Sequence, residues 1–346
     1  MTEVNSILII RLSAIGDVVM ASPLIKAARR RYPQARIAWL AQPEVKGLLE
    51  QDPDLDEVIV WPRSEWRRLW KERHWWALIC EVRRFRRMLQ AYQFDLVVDV
   101  QGLMKSAVLA RLSGARERIG LGSKEGSARL MRRVIPKPEK SLRIGSEYLH
   151  IARELGWDVS DFEMDIALGP EDEAFVKEFI GQKRLENGYV VFCPFTTRPQ
   201  KHWFEDRWVT LASRIDDKFG LPIVMLGGPG DKEAAGRIES LAGQGLMNLT
   251  GQTSLRQAAA LIKHAKGLIG VDTGLSHMGI AFNTPTVNLF GSTAPYLDTT
   301  RDNAVVIYHA MSCSPCRRNP VCDGDFTCMR KITEDEVIDT LSKVMQ

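Results

Sequence analysis

The sequence predicts an α/β protein built as two doubly wound domains, and three observations carry that prediction. Short apolar runs alternate with segments of helical periodicity through both halves of the chain. Several runs are continuous rather than alternating, as in Ile7-Leu8-Ile9-Ile10, which suits parallel strands buried on both faces. The chain has 346 residues, enough for two domains each with its own core. In such sheets ligands bind beyond the carboxyl ends of the strands, so the turns from strand to helix are where function is sought.

The first half opens with a strand over 6–11 and a helix over 17–31, where Val18, Met20, Leu24, Ile25 and Ala28 recur at helical spacing. A strand at 36–40, a helix near 44–50 and a strand at 57–60 follow. Residues 64–91 read as a basic helical segment, "FDLVVDV" at 94–100 as a strand and 103–112 as a helix. The Gly/Ser/Lys/Arg-rich "GLGSKEGSARLMRR" reads as a mobile loop entering a short helix, and 146–157 as an amphipathic helix. "LGPEDE" at 168–173 reads as a linker ending in a helix cap.

The second half repeats the alternation. Strands are expected at 189–195, 222–228, 246–249, 267–271 and 285–290. Helices are expected at 205–219, 231–242, 254–265, 275–282 and 333–345. The domains are placed at 1–167 and 168–332, with 333–346 as a terminal helix.

Hydrophobic content of 45% and charged content of 26% are those of a globular chain, not a disordered one. The first apolar run is too short for a secretory signal, and no run approaches the roughly 18 apolar residues of a membrane span. A cytoplasmic location is expected. The net charge of +4 is unevenly placed: residues 61–87 hold nine Lys/Arg against three Glu. The same stretch holds Trp61, Trp66, Trp70, Trp75 and Trp76. A basic aromatic segment suits an anionic, amphiphilic partner such as a phospholipid surface, a phosphorylated lipid or nucleic acid. The plainer reading is a solvated helix that uses its tryptophans as core.

Four of the six cysteines fall in "CSPCRRNPVCDGDFTC": Cys313, Cys316, Cys322 and Cys328. A structural disulfide pair is not expected in the cytosol, and four thiolates can hold Zn²⁺ or an iron–sulfur cluster. The gaps of five fit no usual zinc spacing, so the metal is one reading among others. Cys80 and Cys193 stand in apolar runs and read as core.

Four strand-end turns carry chemistry. In "SAIGDV" the carboxylate of Asp17 stands at a helix start, where it serves either as a cap or as a general base facing a hydroxyl. It would repel a nucleotide's phosphates. In "CPFTTRPQKHW", Thr196 and Thr197 offer donors and Lys201 a point charge for a phosphate, with ordinary surface as the alternative for Lys201. In "LIGVDTGLSHMGIAF", Asp272-Thr273-Gly274 turn into a helix whose first amides, at Gly274, Leu275 and Ser276, would meet a phosphate, with His277 as a further donor. An aspartic protease would need a second like carboxylate and a β-hairpin setting, so the DTG triplet is not read that way. "MLGGPGDKE", running from Met225 through Gly227, permits close backbone approach to a base and ribose, or is simply a tight turn. A carboxylate in one domain and anion-holding turns in the other would let the protein activate an acceptor and hold an activated phosphate donor.

These motifs resemble the glycosyltransferase family 9 heptosyltransferases of lipopolysaccharide inner-core synthesis. The likeness runs through "RLSAIGDVVMASP", "FDLVVDVQGLMKSAVLARL" at 94–112, "TTRPQKHW" at 196–203 and "GVDTGLSHMGIAFNTPTVNLFGST" at 270–293. "QGLMKSA" looks most like the branch that adds the first heptose to Kdo-lipid A. The resemblance implies a GT-B fold, two Rossmann-like domains facing across a cleft, with the terminal helix returning to the first. It implies an inverting transferase that needs no metal or cofactor and uses ADP-L-glycero-D-manno-heptose. By position, Asp17 is then the base acting on the Kdo hydroxyl, and Lys201, Thr196 and Thr197 contact the donor phosphates. Thr273, Gly274 and His277 surround the pyrophosphate, Asp272 meets the heptose hydroxyls, and Met225 and Gly227 lie by the base. On the acceptor side the resemblance implies Ser13, Gly16, Gln101 and Lys105, with Arg63, Arg67, Arg68 and Lys71 on the lipid A phosphates. It further implies a monomer, peripheral on the inner face of an anionic cytoplasmic membrane, that binds no nucleic acid. The alternatives are addition of a second or later heptose, modification of another acceptor, a GT-B nucleotide-sugar epimerase, and a non-catalytic nucleotide-binding or membrane-docking protein.

Overall fold

The structure, a computed structural model, describes residues 4–139 and 141–346. They form two units: residues 4–139 with Gly145–Ala167, and Ser141–Ile144 with Leu168–Gln346.

In the first unit, β1 (Ser6–Ile10), β2 (Arg36–Ala41), β3 (Glu57–Val60), β4 (Leu96–Asp99), β5 (Glu117–Leu121) and β6 (Arg133–Ile135) form one parallel sheet. Its order is β3-β2-β1-β4-β5-β6. The helices are α1 (Ile15–Ala21), α2 (Pro23–Arg31), α3 (Arg63–Lys71), α4 (Trp75–Ala91), α5 (Met104–Leu112) and α6 (Ser146–Glu154). Alternate residues of a strand point to opposite faces. Ile7 and Ile9 accordingly join a core with Leu24, Ile25, Trp39 and Tyr148, while Leu8 and Ile10 join another with Phe85, Leu89 and Leu109. All four are fully buried, each worth about 1.5–3 kcal/mol of transfer free energy, which is why β1 is apolar without interruption.

The second unit repeats the plan with β7 (Val190–Cys193), β8 (Ile223–Met225), β9 (Leu246–Asn248), β10 (Gly267–Val271), β11 (Thr286–Phe290) and β12 (Ala304–Tyr308). These too are parallel, in the order β12-β11-β10-β7-β8-β9. Its helices are α7 (Pro170–Lys183), α8 (Glu205–Phe219), α9 (Lys232–Ala242), α10 (Leu255–Lys263), α11 (Gly274–Ala281), α12 (Thr327–Arg330) and α13 (Glu334–Val344). Each sheet reverses its direction of winding once, between β1 and β4 and between β7 and β10. Those are the switch points at which open α/β sheets bind ligands.

Several expectations are corrected. The helix expected over 17–31 breaks at Ser22, because Pro23 has no N–H to donate and its ring crowds the preceding turn. The segment 64–91 is a helical hairpin, reversed at 72–74 with Arg73 at a φ of 58°. The stretch read as a loop into a short helix has its first two residues in strand β5 and forms its short helix as the 3-10 turn Ser127–Leu130, while strands β5, β6 and β12 went unforeseen. Residues 43–48 form a 3-10 turn, and the supposed linker at 168–173 starts the 14-residue helix α7. Cys193 is buried as expected, but Cys80 is exposed. The terminal helix α13 packs on α8, β11 and β12 of the second unit, burying Val337, Ile338 and Leu341 there. Among the described residues no helix is long and apolar enough to cross a membrane.

Candidate functional site

Each unit carries a cluster of polar side chains at its switch point. In the first, β1 ends at Ile10 and the chain turns through Arg11–Ala14 into α1. Asp17 is the third residue of that helix, and its Oδ2 accepts from the Ala14 amide at 3.1 Å, so the carboxylate does cap the helix. The same oxygen pairs with the Arg11 guanidinium at 2.5 Å. Among the described residues Oδ1 accepts no hydrogen bond, and the side chain is 35% exposed. A cap and a base are therefore compatible: one oxygen is anchored and the other is open.

Arg11 is buried and is held by the Val100 carbonyl at 2.8 Å. Burial works against its charge, but Tyr148 and Asp17 outweigh burial and raise its pKa. The amide oxygen of Gln101 accepts from Leu12 N at 2.9 Å and Ser13 N at 3.4 Å, so Gln101 shapes the turn itself. Asp99 closes β4. It is fully buried and accepts from Gln101 N, Gly102 N and Ser106 Oγ, and burial, the largest influence, pushes its carboxyl up to about 6. Gly16 is buried in α1 and Ser13 is half-buried in the turn.

The basic residues divide. Lys105 is half-buried, and its pKa is lowered first by desolvation and then by the positive charges of Arg63 and Arg11. Arg63 also reaches Gln42 at 3.4 Å. Arg67 and Lys71 lie exposed on α3. Arg68 is spent on its own helix, paired with Glu65 and Glu72 at 2.7 and 2.6 Å. The tryptophans divide as well. Trp66 packs edge to face on both Trp61 and Phe85, whereas Trp70, Trp75 and Trp76 are exposed.

In the second unit the turns after β7 and β10 meet, because those strands are neighbours. Lys201 Nζ lies 2.6 Å from Asp272 Oδ2 and 3.3 Å from the Asp272 carbonyl. Thr293 Oγ1 donates to the same carboxylate oxygen at 2.7 Å, and His277 Nε2 stands 3.6 Å from Oδ1. Burial alone would raise the pKa of Asp272, but His277, Lys201 and Thr293 outweigh it and hold the carboxyl below its ordinary range. Tyr296 Oη lies 2.7 Å from His277 Nδ1 and completes the chain. The Thr196 hydroxyl reaches the Asp272 carbonyl at 3.5 Å, and Thr197 beside it is exposed. Thr273 holds the N-cap position of α11 without a side-chain capping bond, and the first turn, beginning at Gly274, aims its amides out of the helix end.

At the third turn, Met225 is fully buried in the core, so its side chain is structural. Gly227 owes its lack of a side chain to packing: a Cβ there would stand 2.5 Å from the Phe195 ring. Cys313, Cys316, Cys322 and Cys328 are all free thiols lining one small cavity with Gln200 and Ser292. Gln200 Nε2 donates to the Arg317 carbonyl at 2.9 Å, tying this loop to the turn that carries Lys201. Among the described residues no three His, Cys, Asp or Glu side chains are arranged to hold a metal ion. Reading the sequence missed Arg11, Asp99, Thr293 and Tyr296. The first lies next to the turn that was singled out, and the last two follow β11 in "FGSTAPY", a strand end like the others.

Two parallel six-stranded sheets, each reversing its winding once, make up the GT-B fold shared with solved heptosyltransferases. Residues 82–323 match glycosyltransferase family 9 (heptosyltransferase), and the chain belongs to that family. It is 30% identical over 299 residues to lipopolysaccharide heptosyltransferase 1 of Salmonella typhimurium, covering 84% of this chain and 90% of that protein. With the heptosyltransferase 1 of Pseudomonas aeruginosa it shares 28% over 338 residues, 95% of this chain and 89% of the other. Lipopolysaccharide heptosyltransferases 2 and 3 of Escherichia coli match too. Among solved structures, E. coli heptosyltransferase WaaC with ADP-2-deoxy-2-fluoro heptose superposes with a TM-score of 0.73 at 25% identity, over 98% of this chain and 99% of the other.

Proposed function

We propose that the enzyme moves L-glycero-D-manno-heptose from ADP-heptose to Kdo of the lipopolysaccharide inner core, on Kdo-lipid A, with inversion and without a metal. The observation that carries this reading is the Asp17 carboxylate, anchored through Oδ2 and open at Oδ1. In the reaction the acceptor hydroxyl gives its proton to Asp17, its oxygen bonds to the anomeric carbon, and the bond from that carbon to the diphosphate oxygen breaks. Inversion follows from attack opposite the leaving ADP. Negative charge building on ADP is met by Lys201 and the first amides of α11, electrostatic donors already fixed in place. Asp272, held ionised by His277, Lys201 and Thr293, is suited to accept from sugar hydroxyls. Arg63 and Lys105 supply positive charge for an anionic acceptor such as Kdo.

The likeness to heptosyltransferase 1 supports the first-heptose step, and the likeness to heptosyltransferases 2 and 3 supports a later one as the second reading. The deciding experiment is transfer from ADP-heptose to Kdo₂-lipid A in the presence of EDTA, for wild type and Asp17→Ala. Transfer by the wild type, lowered at least ~10²-fold in the variant with ADP binding retained, is the expected result. Near-normal turnover of the variant would remove Asp17 as the base. Failure of the wild type on this acceptor despite ADP binding would favour the later step, and loss of its activity in EDTA would overturn the metal-free mechanism.

A further inference from the structure

We propose that the tip of the α3–α4 hairpin enters the headgroup layer of an anionic phospholipid bilayer, with Trp70, Trp75 and Trp76 in the interface. This deepens the reading above, in which the acceptor is a lipid. The three tryptophans are 61%, 44% and 79% exposed, and Trp70 and Trp75 meet edge to face at 4.7 Å, so those two rings form one surface beside Trp76, the next residue in the chain. Ile79 on the next turn of α4 is 39% exposed. Exposed large apolar side chains grouped in this way mark an interaction site, and tryptophan is the side chain that settles between water and hydrocarbon.

The hairpin does not need these rings in order to fold. Its root is fixed by Trp61, Trp66, Phe85 and Leu89, which pack into the core of the first unit. The surroundings of the tip select an anionic surface. Arg67, Lys71, Arg73, Arg83, Arg86 and Arg87 are all exposed, whereas the three glutamates of the segment are engaged by Arg68 and Arg84. A second copy of the chain would bring the same cationic face against itself. A bilayer with phosphate headgroups neutralises the cations while the indoles leave water.

The test is flotation of the full chain with vesicles of phosphatidylcholine, with and without phosphatidylglycerol, for wild type and the triple variant Trp70→Ser/Trp75→Ser/Trp76→Ser. Binding of the wild type to the anionic vesicles alone, reduced at least tenfold in the variant, is expected. Tryptophan emission reports the mechanism directly. Of the other six tryptophans, Trp39, Trp61, Trp157, Trp203 and Trp208 are buried and Trp66 is half-buried, so a blue shift on binding, quenched by lipids brominated on their acyl chains, comes from the tip. Vesicle binding needs no acceptor and no turnover, so it stands or falls apart from the transfer assay. Equal binding by the variant, or binding without quenching, would overturn the proposal. So would loss of transfer to a deacylated, water-soluble acceptor in the variant, which would make the tip part of the acceptor site. A change of sedimentation coefficient in the variant without lipid would instead identify the occupant as a second copy.

Discussion

Lys201 and Asp272 are each only about one-sixth exposed on their side chains, at 17% and 15%, and each is the other's nearest opposite charge. Removing one partner of such a pair leaves the other desolvated and uncompensated, a loss on the order of 3–5 kcal/mol. Lys201→Ala is therefore expected to lower stability as well as ADP affinity. The double variant Lys201→Ala/Asp272→Asn is expected to recover much of the stability and none of the affinity. Urea unfolding and ADP titration calorimetry separate the two effects, and a double variant no more stable than the single one would show the pair to be uncoupled. The same reasoning governs Gly227. Gly227→Ala would put a methyl 2.5 Å from the Phe195 ring and 3.0 Å from Thr250, so the strand end carrying Thr196 has to shift. A cost of about 1–3 kcal/mol is expected from such overpacking, measurable as a lower denaturation midpoint.

The hairpin of α3 and α4 is where two sides of one amphipathic pattern part company. Five tryptophans look alike in the sequence, and their fates differ by position along the hairpin: Trp61 and Trp66 near its root are core, and Trp70, Trp75 and Trp76 near its tip are not. Trp66→Ala removes edge-to-face contacts to both Trp61 and Phe85 and is expected to cost about 2–4 kcal/mol. Trp76→Ala is expected to fall within about 0.5 kcal/mol of wild type. Equal losses at the two sites would mean that the tip packs as core. Within α13, Leu341 is fully buried in the second unit, so Leu341→Ala is expected to cost about 2–5 kcal/mol in thermal unfolding.

At the scale of the whole molecule, pH acts through buried carboxyl groups. Burial pushes Asp52 and Asp99 of the first unit up to about 6, whereas an unfolded Asp titrates near about 3.9. Between roughly pH 4 and 6 the folded chain thus holds protons that the unfolded chain has released, so their stabilising contribution is complete below that window and is lost as pH rises through it. Asp99→Asn should flatten the fall of Tm over this range, and an unchanged slope would remove Asp99 as a source.

Much was legible in the residues themselves. The apolar run of β1, the cap of α1 and the Asp17 and Asp272 turns all act over a few neighbouring positions, so local periodicity and turn chemistry disclose them. Strands β5 and β6 were hidden because charged and glycine residues interrupt their apolar pattern, and Pro170 opened α7 under the guise of a linker. The sequence alone determined the α/β alternation, the two switch-point turns and the families of side chains they carry. Only the tertiary structure decided that β7 lies beside β10, which brings Lys201 to Asp272 and adds Thr293 and Tyr296 to them, and that Gln101 wraps the Asp17 turn. It also decided which tryptophans face water and which unit receives the last helix. Those outcomes depend on pairings between strands and helices far apart in the chain, which are chosen by the packing of whole faces and leave no mark on any one stretch.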